Sequence, residues 1–112
     1  MVVNTRFDEI EEHVIKDTSL TITDTSMDSI TVFGKIEVLA HIDLTIEFLG
    51  DGVYECIGSI SYQGYDANPT DILEVRKFVK TEKDVITLID KSIDTASKLI
   101  IALRQLESEW NT

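Results

Sequence analysis

The sequence predicts an α+β fold: an N-terminal helix, a four-stranded antiparallel β-meander, then a short helix and a long C-terminal helix packed on one face of the sheet. Three patterns carry this prediction. From Leu20 to Tyr62 the apolar residues fall on even numbers, the period of strands with one buried face. From Val85 to Trp110 they recur at helical spacing. Between the two, Gly64, Asn68 and Pro69 mark a loop by composition. Read as a single domain, the chain divides into helix at 1–18, meander at 19–62, loop at 63–70 and a helical segment at 71–110.

The first helix follows from Asn4–Lys16, where Phe7, Ile10 and Val14 stand at i, i+3 and i+7 with Asp8, Glu9, Glu11 and Glu12 between them. Its acids lie near the N-terminus, where the helix dipole favours negative charge. Asp17-Thr18-Ser19 ends it. In the meander, a single strand from Ser29 to Leu49 would run ~70 Å at about 3.3 Å per residue, so the chain must fold back. Residues facing each other in a hairpin share one side of the sheet. Two even-numbered apolar sets therefore pair only across connections with an odd number of residues. Gly50-Asp51-Gly52 meets this condition, with glycine for the left-handed position, and sets Phe48 opposite Tyr54 and Ile46 opposite Cys56. A loop at Thr25-Ser26-Met27 pairs Ile22 with Ile30. The middle turn has two candidates. Leu39-Ala40-His41 keeps the strands equal and is favoured; Gly34-Lys35-Ile36 has the glycine but leaves them unequal. Beyond the loop, Ile72, Val75, Phe78 and Val79 read as one face of a short helix. Thr81 as N-cap with Asp84 three residues later opens the long helix. Residues 82–109 would span ~42 Å, longer than the sheet is wide, so the helix either overhangs the sheet or meets a second subunit.

Charge narrows the function classes. The chain holds 21 acidic and 10 basic residues, net −11, and residues 1–62 carry 12 acids against 3 bases. Such a surface is repelled by nucleic-acid phosphates and by acidic lipid headgroups. No apolar run reaches the ~20 residues of a membrane span, and the N-terminus lacks the apolar centre of a signal peptide. Cys56 is the single cysteine, so no intrachain disulfide forms. The expectation is a soluble, cytoplasmic protein. Cys56 sits on the inward parity with no base placed to activate it and reads as core filler. No Ser-His-Asp set, Gly-x-Gly-x-x-Gly or phosphate-binding loop is recognisable, so the expectation is a non-enzyme without a cofactor.

The odd-numbered face of the meander is the best lead. With the middle turn at 39–41, Glu37 faces Asp43, and the Gly50–Gly52 turn sets Glu47 against Glu55. Like charges directly opposite one another destabilise a sheet. Two such pairs on one face make sense if that face receives something cationic. The plainer reading is a solvated acidic face that keeps a β-rich protein soluble. Phe33, Leu39 and Ile57 fall on the same face and would form the apolar centre of an interface rimmed by the acids. His41 and Asp43, with Glu37, have the donor types of a zinc, manganese or iron site. That grouping depends on the middle turn and has no second histidine nearby in sequence, so no metal ligand is assigned. The candidate binding residues are Glu37, Asp43, Glu47, Glu55, Phe33, Leu39 and Ile57.

The leading expectation is a non-enzymatic acidic protein-binding module that covers a basic, nucleic-acid-binding surface of a partner such as a nuclease, in part by charge mimicry. In size, charge and class the chain resembles small immunity proteins and phage-encoded inhibitors of bacterial defence nucleases. That resemblance implies an inhibitor of the toxin-neutralising or anti-defence type. The alternative is a homo-oligomeric accessory or chaperone-like subunit, a homodimer at its simplest, assembled through the long C-terminal helix, where Ile101 and Trp110 are the telling residues. A small metal-dependent enzyme is the third reading.

Overall fold

The computed structural model describes residues 7–36, 40–62 and 70–110, apart from the side chains of Thr70, Asp71, Ile72 and Glu107. Helix α1 (Asp8–Asp17) is followed by strands β1 (Thr21–Thr25), β2 (Ser29–Ile36), β3 (Ala40–Phe48), β4 (Tyr54–Tyr62) and β5 (Thr70–Val79), then helix α2 (Glu82–Trp110). The strands form one antiparallel sheet in the order β1-β2-β3-β4-β5. Both helices lie on its even-numbered face, a two-layer α+β architecture.

The parity of the meander has its cause in this layering. Ile30, Val32, Ile36, Ala40, Ile42, Leu44, Ile46, Tyr54, Cys56 and Ile60 are buried against Phe7, Ile10 and Val14 of α1 and Val85, Ile89, Ala96 and Ile100 of α2. The Gly50–Gly52 turn pairs Phe48 with Tyr54 and Ile46 with Cys56, with all three turn residues at positive φ (87°, 52° and 74°). Burial pushes the Cys56 thiol up to about 11, and the neighbouring Glu55 carboxylate adds to the effect.

Three expectations are corrected. The middle turn lies at neither 39–41 nor 34–36: Ile36 pairs with Ala40, and the connecting residues 37–39 fall outside the described residues. Gly34 is a strand residue because Leu20 passes directly over it. A Cβ on Gly34 would stand 2.6 Å from Leu20 Cδ2 and 2.9 Å from Leu20 Cα. Second, Ile22 pairs with Val32 rather than Ile30: the turn sets Thr25 opposite Ile30, and a bulge between Ile22 and Asp24 then returns Ile22 to an even-numbered partner. Ser26 closes that turn, its N–H donating to Ser29 O (2.8 Å) and its hydroxyl accepting from Ser29 N–H (3.1 Å).

The third correction adds a strand. Residues 70–79, expected to hold the end of a loop and a short helix, form β5 and pair along the whole of β4, so the sheet has five strands rather than four. Leu73, Val75, Lys77 and Val79 face the helices and Glu74, Arg76 and Phe78 face away, opposite in parity to the other strands. Lys77 hides the alternation in the sequence. It is tolerated on the inner side because β5 is an edge strand, where α2 leaves that side partly open: Lys77 is exposed, and Leu73 retains 39% of its surface. The rest of the expected 63–70 loop, residues 63–69, lies outside the described residues.

Helix α2 begins as its sequence directs, with Asp84 N–H donating to Thr81 Oγ1 at 3.0 Å. Its buried stripe is Val85, Ile89, Ser92, Ala96 and Ile100, and the Ser92 hydroxyl is satisfied by Leu88 O at 2.8 Å. The helix then outruns the sheet: Leu106 is 47% and Trp110 81% exposed. The molecule measures 61 × 22 × 22 Å, with a radius of gyration of 15.5 Å against the ~13 Å of a compact chain this long. Among the described residues no helix is long and apolar enough to cross a membrane.

Candidate functional site

The face of the sheet turned away from the helices carries the candidate residues, and strand register decides which of them meet. Successive rows across β2, β3, β4 and β5 read Ser29–Glu47–Glu55–Phe78, Thr31–Thr45–Ile57–Arg76 and Phe33–Asp43–Ser59–Glu74. Glu47 and Glu55 are direct partners, as the Gly50–Gly52 turn requires. The expected opposition of Glu37 and Asp43 is overturned, because the two-residue shift of the middle turn brings Phe33 opposite Asp43. Glu37 and Leu39 lie outside the described residues.

The fifth strand changes the electrostatics. Arg76 donates from Nε (3.3 Å) and Nη2 (3.1 Å) to Glu55 Oε2, and the Glu55 side chain keeps only 12% of its surface. One member of the Glu47–Glu55 pair is thereby neutralised, which removes much of the like-charge strain. The same guanidinium lies 5.8 Å from the centre of the Phe78 ring. The described outward carboxylates without that compensation are Glu47 beside it, Asp43 at the centre, Glu74 on β5 and, opposite Thr31 at the far edge, Asp24 on β1.

The apolar part of the face is a band. Ile57 is 44% and Phe78 55% exposed, and Phe33 is half-buried with its ring 5.8 Å from the His41 imidazole. A shallow depression of about 440 Å³ opens beside Ile57, lined also by Asp43, Thr45, Ser59, Glu74 and Arg76. It lies beside Gly58, which could carry no Cβ without striking Asp43 O and the Leu44 backbone. His41 faces Lys35 and Ser61, and among the described residues no three His, Cys, Asp or Glu side chains converge as a metal site would need.

Glu74, Arg76 and Phe78 were missed by sequence reasoning, which had given β5 to a helix. The available signal was Leu73, Val75 and Val79, three apolar residues at period two with Lys77 as the one exception. What results is a broad, open surface with an apolar band, four described outward carboxylates and one Arg76–Glu55 ion pair, suited to contact with another macromolecule rather than to enclosing a small one. Comparison with protein-family models, with curated proteins and with solved structures returns no match to this chain.

Proposed function

We propose that the protein is a non-enzymatic acidic binding module, an inhibitor or immunity-type protein, that uses the open face of its sheet to cover a basic, nucleic-acid-binding surface of a partner protein. The observation that carries this reading is the placement of Asp43, Glu47 and Glu74 around exposed Ile57 on a sheet face with no covering layer among the described elements. Apolar centre and charged rim are the anatomy of protein interfaces. The net charge of −11 selects a cationic partner and accelerates its approach. Arg76 holding Glu55 flat on the sheet adds a rigid polar element to the rim.

The test compares wild type with an Asp43→Lys/Glu47→Lys/Glu74→Lys variant in pull-downs from the source cells, followed by affinity measurements on the purified partner. A basic protein retained by wild type, lost by the folded variant and released progressively by NaCl is the expected result. Equal recovery by both proteins, or affinity unchanged between low and high salt, would reduce these acids to a solubility surface.

A further inference from the structure

Among the described residues, the helix-bearing face of the sheet has an unfilled place. Five strands at about 4.8 Å spacing give a sheet ~20 Å across. Helix α1 lies against β1, and α2 crosses β2, β3 and β4. Over β5, beside the first half of α2, there remains a groove of about 420 Å³ whose walls include Lys77, Val79, Lys80, Leu88 and Lys91. In a chain with 21 acids and 10 bases, three lysines and one acid, Asp84, at a single groove form a local positive site. The opposite end of the same helix has the complementary character. Leu106 and Trp110 are exposed, and the last two turns, residues 104–110, carry Arg104 with Glu107 and Glu109, a net charge of −1. The dipole of α2 adds further negative potential at that end.

We infer that the protein forms a two-fold symmetric dimer in which the overhanging end of each α2 lies in the lysine-lined groove of the other copy. Helical geometry brings the two features into register. Leu88, in the groove, and Leu106, on the overhang, are 18 residues apart, which is five whole turns and ~27 Å, so both lie on the same side of the helix. A two-fold axis perpendicular to α2, at the height of residue 97 and on the side of Leu88 and Leu106, sets Leu88 of each copy against Leu106 of the other. The same axis puts Thr95 against Leu99. Thr95 and the exposed Ala102 on this side are small enough to let the helices approach closely. The antiparallel arrangement also sends the two acidic bodies to opposite ends of the pair, where their repulsion is screened. One symmetric contact thus fills both grooves and covers both overhangs. The outward face of the sheet stays free, so this inference and the binding role of that face fail independently.

Sedimentation equilibrium of the full chain from ~1 to ~100 µM, a span that brackets moderate affinities, tests the dimer. The expected mass is twice 12.6 kDa at the upper end, falling on dilution. Leu106→Glu and Lys91→Glu, both at exposed positions, should each weaken association at least about tenfold, as loss of an interface anchor does, with thermal melting unchanged at dilutions where wild type is monomeric. Register is read by oxidation in a Cys56→Ala background. Leu88→Cys/Leu106→Cys should form covalent dimers, whereas Leu106→Cys alone should not. A wild type that stays monomeric throughout overturns the inference. So does a dimer indifferent to both charge variants, and so does efficient crosslinking of Leu106→Cys alone, which would mean that the overhangs meet tip to tip.

Discussion

At Gly58 the backbone of β4 approaches β3 so closely that a methyl group has nowhere to go. A Cβ there would strike the Asp43 carbonyl oxygen and come within 2.9 Å of Leu44 Cα. Both are backbone atoms of a central strand, which cannot yield as a flexible side chain would. Gly58→Ala should therefore destabilise the fold by about 1–3 kcal/mol, the usual range for overpacking, read as a lower urea midpoint at unchanged slope. Because Asp43 lies on the open face, relief of that clash would also shift its carboxylate. A Gly58→Ala protein with wild-type stability would mean that β3 and β4 can separate here, and the depression beside Ile57 would lose its rigid floor. Gly34 is subject to the same constraint from Leu20. Gly34, the less favoured of the two positions offered for the middle turn, pairs with Ile42 inside β2.

Helix α1 depends on α2 for its start. Phe7 at its N-cap supplies no side-chain acceptor, and Glu82 fills the role across the fold, Oε2 accepting from Glu9 N–H (2.7 Å) and Ile10 N–H (3.2 Å). Burial raises the Glu82 carboxyl above the ordinary carboxylate range, Asp8 and Glu9 push the same way, and the two backbone N–H groups pull it back. A raised value means that the folded state binds the proton more readily than the unfolded chain. This share of stability is thus complete below the unfolded pKa and is lost as pH rises through the folded one. Glu82→Ala should remove the cap, costing about 1 kcal/mol, and should speed amide exchange in the first turns of α1. Glu82→Gln keeps an acceptor but cannot ionise, so stability should fall less than in wild type as pH rises from below the unfolded carboxylate value through the raised folded one; an unchanged pH profile would exclude Glu82 as its source. At this scale the sequence was legible wherever one pattern spoke alone. The even parity of 20–62 predicted the pairing of β3 with β4, and Thr81 with Asp84 predicted the start of α2. It was illegible where local and tertiary signals conflicted. Ile72, Val75, Phe78 and Val79 match a helical spacing, and only the free edge of β4 makes a strand of them. The Glu82 cap joins residues 73 apart in sequence and leaves no local mark. Of the candidate site, Glu47 against Glu55 followed from one glycine turn, whereas Asp43 changed partner with the middle turn and Arg76 came from a strand the sequence concealed.

Over the whole molecule, folding gathers a net charge of −11 within a radius of gyration of 15.5 Å. The exposed Lys16–Glu12 and Lys98–Asp94 pairs, each one helical turn apart, offset little of the repulsion. Unfolding spreads these charges, so self-repulsion works against the compact state. Added NaCl shortens the screening length to about 8 Å at 0.15 M and should raise the melting temperature. For a relief of ~1 kcal/mol in a domain of this size the rise between ~10 and ~300 mM is about 4–6 °C. Docking of a basic partner on the open face should respond with the opposite sign, because the same screening weakens attraction between unlike charges. Melting curves and partner affinity measured across one NaCl series separate the two effects. A rising melting temperature with falling affinity fits an acidic face held against its own repulsion for the sake of a cationic partner. A melting temperature that rises while affinity stays flat would leave repulsion intact as a property of the fold and place the binding energy in Phe33, Ile57 and Phe78 instead. A flat melting temperature would mean that the unfolded chain keeps its charges as close together as the folded one does.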